Sequence, residues 1–337
     1  MEVDRATASL LWVEVDLPEL PQRVRLDEVA LVMDVEAVVN GVVFELCDVP
    51  GDIDDGHVTT LAVGADIARA ESAPGAPGPD ARGWWPMPLD LLPVLRAAAG
   101  AAVASLADNH QWGLTGKGDG QYAHDTVADA AVLAVLTEAG LGVFSEEAGV
   151  HNPERELLVV VDPVDGSTNA SRGLPWWATS LCALDGEGPL AAVVVNQATG
   201  QRFEALRGEG ATCDGRPVRP SACAAIEDSI VAVSGYPGSD LGWSQFRSLG
   251  ASALDICSVA SGALDVFIDF AERSLAPWDY LGGLLVCREA GACVEDAEGR
   301  DLIITSGDER RTVVAAATRE LLDSALAARR RGGTKGS

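Results

Sequence analysis

Asp162 and Asp165 close an apolar run in the stretch LLVVVDPVDGSTN. A continuous apolar run of this length reads as a buried strand, and an acid at the C-terminal end of such a strand faces a cleft and not the core. Two carboxylates within one turn repel each other unless a cation lies between them. Pro163 stiffens the turn, and Gly166 admits a backbone angle that other residues avoid. Ser167, Thr168 and Asn169 then offer hydroxyls and N–H groups of the kind that bind phosphate at a helix start. The segment can hold a metal on one side and a phosphate on the other. An ordinary Asp-Gly turn with capping side chains is the competing reading.

Three more acidic features accompany it. They are Asp125 at the start of a helical pattern, the pair Glu146-Glu147 in FSEEAG, and Trp278-Asp279 opening another helix. Each is weak alone, since surface glutamates are common and aspartate is a good helix cap. Together they put acids at the ends of elements far apart in the chain, as metal-assisted phosphoryl transfer requires. Phosphatases of the haloacid dehalogenase type space their two aspartates as D-x-D, whereas the separation in DPVD is three.

Composition narrows the metal and the partners. The four histidines (57, 110, 124 and 151) never pair at helical spacing, so a histidine-rich zinc site is not expected. Carboxylates alone favour a hard ion such as Mg²⁺. The 337 residues carry 24 Lys plus Arg against 51 Asp plus Glu, a net charge of −27. Such a surface repels phosphate backbones and anionic lipid, which argues against nucleic-acid or membrane binding but allows a small phosphorylated substrate beside a metal. No apolar run approaches the roughly 18 residues of a membrane helix, and the start MEVDRATASLLWVEVD lacks the order of a secretory signal. Seven cysteines without a CxxC read as reduced, buried thiols in a cytoplasmic protein.

The elements that must position these acids follow from periodicity. The stretch ESAPGAPGPDARG, residues 71–83, reads as a linker after a small β-rich module over 1–70. Helices are expected over 89–108, over HDTVADAAVLAVLTEAG with Gly140 closing it, over SLGASALDICSVASG, over WDYLGGLLVCREAG closed by Gly291, and over TRELLDSALAARR with Thr318 as N-cap. ELLVVVD (156–162) reads as a strand, ATSLCALDGEGPLAAVVVNQATGQRFEALRGEGATCDGRPV as a meander, and SIVAVSGY, ALDVFIDFA and TVVAAAT as further strands. The main domain divides into halves at 84–220 and 221–330, and 331–337 reads as a disordered tail.

The order GQYAHDTVAD, SEEAG, VVVDPVDGSTN, APWDYLGGLLVCREAG resembles the inositol monophosphatase superfamily, the Mg²⁺-dependent, lithium-sensitive phosphatases, over residues 85–325. The resemblance implies an α+β fold, a layered α/β/α/β/α sandwich of the inositol monophosphatase / fructose-1,6-bisphosphatase type, to which the N-terminal module is an addition. It implies two to three Mg²⁺ ions. Glu146, Asp162 and the carbonyl of Val164 would hold the first ion. Asp162, Asp165 and Asp279 would hold the second, and Glu146 would reach a third through water. Asp125 and the Ser167 hydroxyl would activate the attacking water. The N–H groups of Gly166 and Ser167 would hold the phosphate. Gly250 and Ala251 would line the polyol pocket, and Glu272 would meet substrate hydroxyls. Lys117 lies in a glycine-rich loop that departs from the family pattern. The implied reaction is hydrolysis of a small phosphorylated polyol or sugar, most simply inositol monophosphate, with homodimers common in the family. Alternatives are 3′-phosphoadenosine 5′-phosphate, histidinol phosphate or a sugar bisphosphate as substrate, or a member that binds a metabolite without turnover.

Overall fold

The structure is a computed structural model that describes residues 90–107, 113, 122–271 and 275–332, and five strands before them. The chain forms two compact units, Met1–Trp84 and Trp85–Ser337. In the first, β1 (Leu11–Val13) and β2 (Val24–Leu26) form an antiparallel pair. β3 (Glu36–Val39), β4 (Val42–Leu46) and β5 (Val63–Gly64) form a three-stranded antiparallel sheet. The linker read at 71–83 lies outside the described residues.

The second unit starts with helices α1 (Leu91–Ala107) and α2 (Ala123–Glu138). Strands β6 (Gly142–Ser145), β7 (Gly149–His151) and β8 (Leu158–Asp165) follow, then the short helix α3 (Ser167–Arg172). The expected meander is β9 (Ala178–Asp185), β10 (Gly188–Asn196), β11 (Arg202–Leu206), β12 (Gly210–Cys213) and β13 (Arg216–Pro217). These strands form one eight-stranded sheet in the order β13-β12-β11-β10-β9-β8-β6-β7. Then come β14 (Ile230–Ser234), β15 (Gln245–Arg247), α4 (Ser252–Ala260), β16 (Val266–Asp269), α5 (Pro277–Ala290), β17 (Cys293–Asp296), β18 (Val313–Ala316) and α6 (Arg319–Gly332). The second sheet runs β15-β14-β16-β18-β17. Among the described residues no helix is long and apolar enough to cross a membrane.

The layers are those expected. α1 and α2 pack on one face of the eight-stranded sheet, α4 and α5 lie between the sheets, and α6 covers the far face of the second sheet. Helices on both faces explain why β8 is apolar from Leu158 to Val161. Its alternation still assigns sides: Val159 and Val161 join the α1/α2 core, whereas Val160 joins the α4/α5 core.

Three sequence expectations shift. The strand expected to end at 162 continues to Asp165. β15, an edge strand parallel to β14, and β17 were not foreseen. α6 runs to Gly332, two residues into the stretch read as a disordered tail. The expected caps are present: the Leu321 N–H donates to Thr318 Oγ at 3.3 Å, and Gly291 closes α5 in the left-handed region at φ 94°.

Asp255 is sealed in the middle layer, where its Oδ1 accepts the Trp176 indole N–H at 2.9 Å. Burial lifts its carboxyl from 3.8 to about 7. The folded chain therefore binds a proton that the unfolded chain releases between those values. This contribution is complete below about pH 4 and is lost as pH rises through 7. Asp255→Asn keeps an acceptor for Trp176 and removes the charge. It should raise stability by about 2–4 kcal/mol at pH 8 and change it little at pH 4. Urea melts at both pH values test this, and equal shifts at both would count against it.

Candidate active site

Strand parity places the first two acids. β6 and β8 are parallel neighbours, and β6 ends with Ser145 opposite Val161, just before Asp162. On β6, Val143 faces the α1/α2 core and Phe144 the α4/α5 core. Ser145 accordingly points to α2, where its hydroxyl donates to Asp129, and Glu146 follows on the inner side. The Glu146 N–H donates to the Val161 carbonyl at 3.1 Å, and the Glu147 N–H to Ser145 Oγ at 3.3 Å. On β8 the even positions face inward, which brings Asp162 to the same side.

Asp165 needs a further device, because three residues along a regular strand reverses the side. The β8–β9 pairing passes from Asp162↔Ser180 to Asp165↔Ala178, so β8 carries one extra residue. This bulge restores the inward side for Asp165 and sends Val164 to the α1/α2 core. Pro163 sits within the bulge, where a missing N–H is tolerated, and its carbonyl accepts the Thr179 hydroxyl at 2.8 Å.

The aspartates of the site are held by backbone N–H groups. Asp162 Oδ1 accepts from Val164 at 3.0 Å. Asp165 accepts from Ser252 at 3.2 Å and Ala253 at 2.7 Å, at the start of α4. Asp279, in the first turn of α5 behind Pro277, accepts from Ala276 at 2.7 Å. Asp125, in the first turn of α2, accepts from Tyr122 at 3.3 Å and hydrogen-bonds the Ser167 hydroxyl. Ser167 also donates to the Val164 carbonyl at 2.9 Å, so the expected metal-binding carbonyl and the expected water-orienting hydroxyl are partners.

The acids act on one another. Glu146 touches solvent, yet protein surrounds it closely enough that lost hydration raises it well above the usual carboxylate range; Asp279, Glu147, Asp125 and Asp165 push the same way. Burial first, then Glu146, Asp165, Asp279 and Asp125, raise Asp162. Asp165 is raised by burial and then by Asp279, against the Ala253 N–H. Burial lifts Asp279 to about 6, with the Ala276 N–H and the Arg310 charge opposing. Burial likewise lifts Asp125 to about 7, against the Ser167 hydrogen bond.

Among the described residues, no three Asp, Glu, His or Cys side chains are drawn together as a closed ligand cage. The donor chemistry nonetheless fits hard divalent ions. Asp162 and Asp165 are buried, Asp279 is half-buried and Glu146 stands at the exposed end of β6; each is raised by its surroundings, and the Arg310 charge opposes this at Asp279. Their free energy as separate anions is unfavourable, and bound positive charge relieves it.

Gly166 opens α3 at φ 90°. A Cβ there would lie 3.0 Å from the Gly250 carbonyl and 3.2 Å from both the Ala251 Cβ and the Trp176 carbonyl. Only glycine lets these segments meet. Asn169 Nδ2 donates to the Trp176 and Leu249 carbonyls, each at 2.7 Å, and so fastens the 249–251 segment to the α3 turn. Gly250 and Ala251 therefore lie beside Gly166, as expected. Glu272 and Lys117 lie outside the described residues. Trp176 and Trp177 pack into the cores.

Two neighbours escaped the sequence reading. Asp269, fully buried at the end of β16, adds its charge to Asp279. The pattern ALDVFID already carried that signal: an acid closing an apolar strand. His124 Nε2 lies 3.0 Å from Asp125 Oδ1, and burial lowers the imidazole to about 4, so a neutral ring faces the acid.

Comparison with known proteins bears on this geometry. The inositol monophosphatase family model matches residues 91–334. The chain is 35% identical over 205 residues to a fructose-1,6-bisphosphatase of Pyrococcus furiosus, covering 60% of this chain and 80% of the relative. It is 33% identical over 241 residues to an inositol-1-monophosphatase of Mesorhizobium japonicum, covering 64% and 89%. A solved Pyrococcus horikoshii structure, described as having similarities to inositol-1-monophosphatase, superposes with a TM-score of 0.62 at 27% identity, over 71% of this chain and 96% of that one. A family match across most of the chain and the shared layered fold agree: the chain belongs to the inositol monophosphatase family and is a phosphoric monoester hydrolase.

Proposed function

We propose that the chain is a Mg²⁺-dependent phosphomonoesterase acting on a small phosphorylated sugar or polyol, of which inositol monophosphate is the simplest. The observation that carries this reading is the placement of acids from separate elements: the bulge at Pro163 sets Asp162 and Asp165 on one side of β8, Asp165 accepts from the first N–H groups of α4, and Asp279 stands in the first turn of α5. Glu146, Asp162 and the Val164 carbonyl would hold one ion, and Asp162, Asp165 and Asp279 a second, with a third reached from Glu146 through water. Bound there, divalent ions neutralise phosphate charge and acidify water.

The chain's own groups do the rest. Asp125, titrating near 7, suits a general base at neutral pH, and Ser167 orients the same water. The water oxygen bonds to phosphorus as the ester P–O bond breaks; the alcohol leaves with a proton, and inorganic phosphate remains. The N–H groups of Gly166 and Ser167 face the phosphate, with Gly166 fixed by its contacts to Gly250 and Ala251. Glu272 would meet the substrate hydroxyls, as the resemblance implies, and the buried charge of Asp269 acts on Asp279 from behind. The likeness to the Pyrococcus furiosus fructose-1,6-bisphosphatase supports a second reading, a sugar bisphosphate as substrate.

Asp165→Asn should lower kcat by about 10²–10³-fold at saturating Mg²⁺. It should cost only about 1–2 kcal/mol of stability, because one amide oxygen still accepts from α4. Steady-state kinetics beside a denaturant melt test both halves, and near-normal turnover would remove Asp165 from the metal site. Asp125→Asn should slow single-turnover hydrolysis by about 10²-fold while shifting the Mg²⁺ titration midpoint less than about threefold. Lost Mg²⁺ affinity with an unchanged bound-state rate would reassign Asp125 to metal binding.

A further inference from the structure

Helix α2 turns two acids to its buried face. Asp125 and Asp129 lie four residues apart, so they share one side of the helix, one turn from each other. They are 4% and 3% exposed. Ala128, Val132 and Leu136 of the same helix belong to the α1/α2 core, where an acid is costly unless hydrogen bonds hold it. Asp125 meets the Ser167 hydroxyl. Asp129, one turn further along, bonds to a different segment.

That segment is the turn between β6 and β7. Ser145 ends β6 and pairs with Gly149, the first residue of β7, so Glu146, Glu147 and Ala148 make up the turn. The Ser145 hydroxyl donates to Asp129 Oδ1, and Ser145 Oγ accepts the Glu147 N–H at 3.3 Å. The Ala148 N–H donates to the Asp129 carboxylate directly, and His151 Nε2 lies 3.1 Å from the Ala148 carbonyl. Burial raises the Asp129 carboxyl above its ordinary value, and the Ser145 hydroxyl, the His151 charge and the Ala148 N–H oppose it in that order. Two N–H groups of the turn thus end on Asp129, that of Ala148 directly and that of Glu147 through Ser145. The third, that of Glu146, donates to the Val161 carbonyl on β8 at 3.1 Å.

The turn carries Glu146, the acid proposed to hold one ion and to reach another through water. Asp162, Asp165 and Asp279 are fixed through their own carboxylates by backbone N–H groups. Glu146 is fixed through the backbone that bears it, which β8 holds at one end and Asp129 at the other. Such fixing matters, because a misplacement of roughly 1 Å at a reacting centre can cost on the order of 10²-fold in rate. Asp125 and Asp129 also share one rigid helical turn, so α2 sets the water-activating acid and the Glu146 turn in register.

We infer that Asp129 is a positioning residue: with Ser145 as its relay, it braces the 146–148 turn so that Glu146 aims at the metal ions beside Asp162. It acts through Glu146 and touches neither ion nor substrate. Helix α2 then serves the reaction twice, with Asp125 at the water and Asp129 behind a metal ligand. The inference rests on the metal-dependent phosphatase reading of the site.

The test uses the full chain, with Mg²⁺ alone in calorimetric titration and with phosphate release from inositol 1-phosphate and fructose 1,6-bisphosphate in kinetics. Asp129→Ala should weaken Mg²⁺ binding by about 10–100-fold and Ser145→Ala by less, each with KM at saturating Mg²⁺ changed less than about threefold. Asp129→Asn keeps one accepting oxygen and should recover part of the loss. In a Glu146→Gln background, Asp129→Ala should shift Mg²⁺ affinity less than about twofold, because the group it acts through is already gone. Thermal melts identify folded variants; should Asp129→Ala unfold, Asp129→Asn with and without Glu146→Gln makes the same comparison. Unchanged Mg²⁺ affinity in the folded Asp129 variants, or an equal loss with and without Glu146→Gln, overturns the inference and leaves the phosphatase reading standing. Mg²⁺ binding that follows the expected pattern without phosphate release from either substrate overturns the phosphatase reading and leaves the brace standing. A wild-type chain that neither binds Mg²⁺ nor releases phosphate overturns both.

Discussion

Asp162, Asp165 and Asp279 each turn an oxygen to a backbone N–H while burial and neighbouring negative charge oppose their ionisation. That opposition, backbone donors against mutual repulsion and lost hydration, is the constraint the second unit is built around. Isolated buried carboxylates would simply take up protons. Donors at the starts of α4 and α5 favour the charged forms, because N–H groups at a helix N-terminus are otherwise unsatisfied. The acids thus remain ready to ionise wherever positive charge is supplied.

The layers exist to deliver those donors and acids to one place. The eight-stranded sheet brings Glu146 and Asp162 on adjacent parallel strand ends, and the bulge at Pro163 adds Asp165 to the same side. The middle layer brings the N-termini of α4 and α5. Close packing of α5 on the sheet and on α4 depends on small residues. A Cβ on Gly282 would lie 2.8 Å from Ser180 Oγ and 2.9 Å from Val194 Cγ2, and one on Gly283 would lie 2.7 Å from Ile256 Cγ2. Helix α5 could not present Asp279 at this depth with larger side chains there, since overpacked interiors shift backbone.

The two sheets are coupled at the α3 turn. Asn169 bonds the Leu249 carbonyl, Asp165 bonds the first N–H groups of α4, and Gly166 leaves room for Gly250. Phosphate-binding backbone and substrate-lining backbone are therefore fixed by one set of contacts. A strongly acidic exterior and an acidic interior site make the same demand on ligands: an anion is accepted where positive charge or N–H groups meet it, and repelled elsewhere.

Local sequence decided much of this. The apolar runs set β8 and the meander, the caps at Thr318 and Gly291 set helix ends, and the acids at element ends marked the site. These features depend on neighbours within a few residues, so they are legible without the fold. The bulge was not, because it is defined by pairing with β9, and a run such as VVVDPVD does not reveal its partner's register. Asp269 was missed because its effect on Asp279 crosses from one element to another. The exposure of Tyr236 and Phe246 likewise carries no sequence signal, since whether a ring is buried depends on what packs over it. Sequence determined which groups could do the chemistry; only the tertiary structure decided which of them face one another, because strand register and helix packing are interactions between segments distant in the chain.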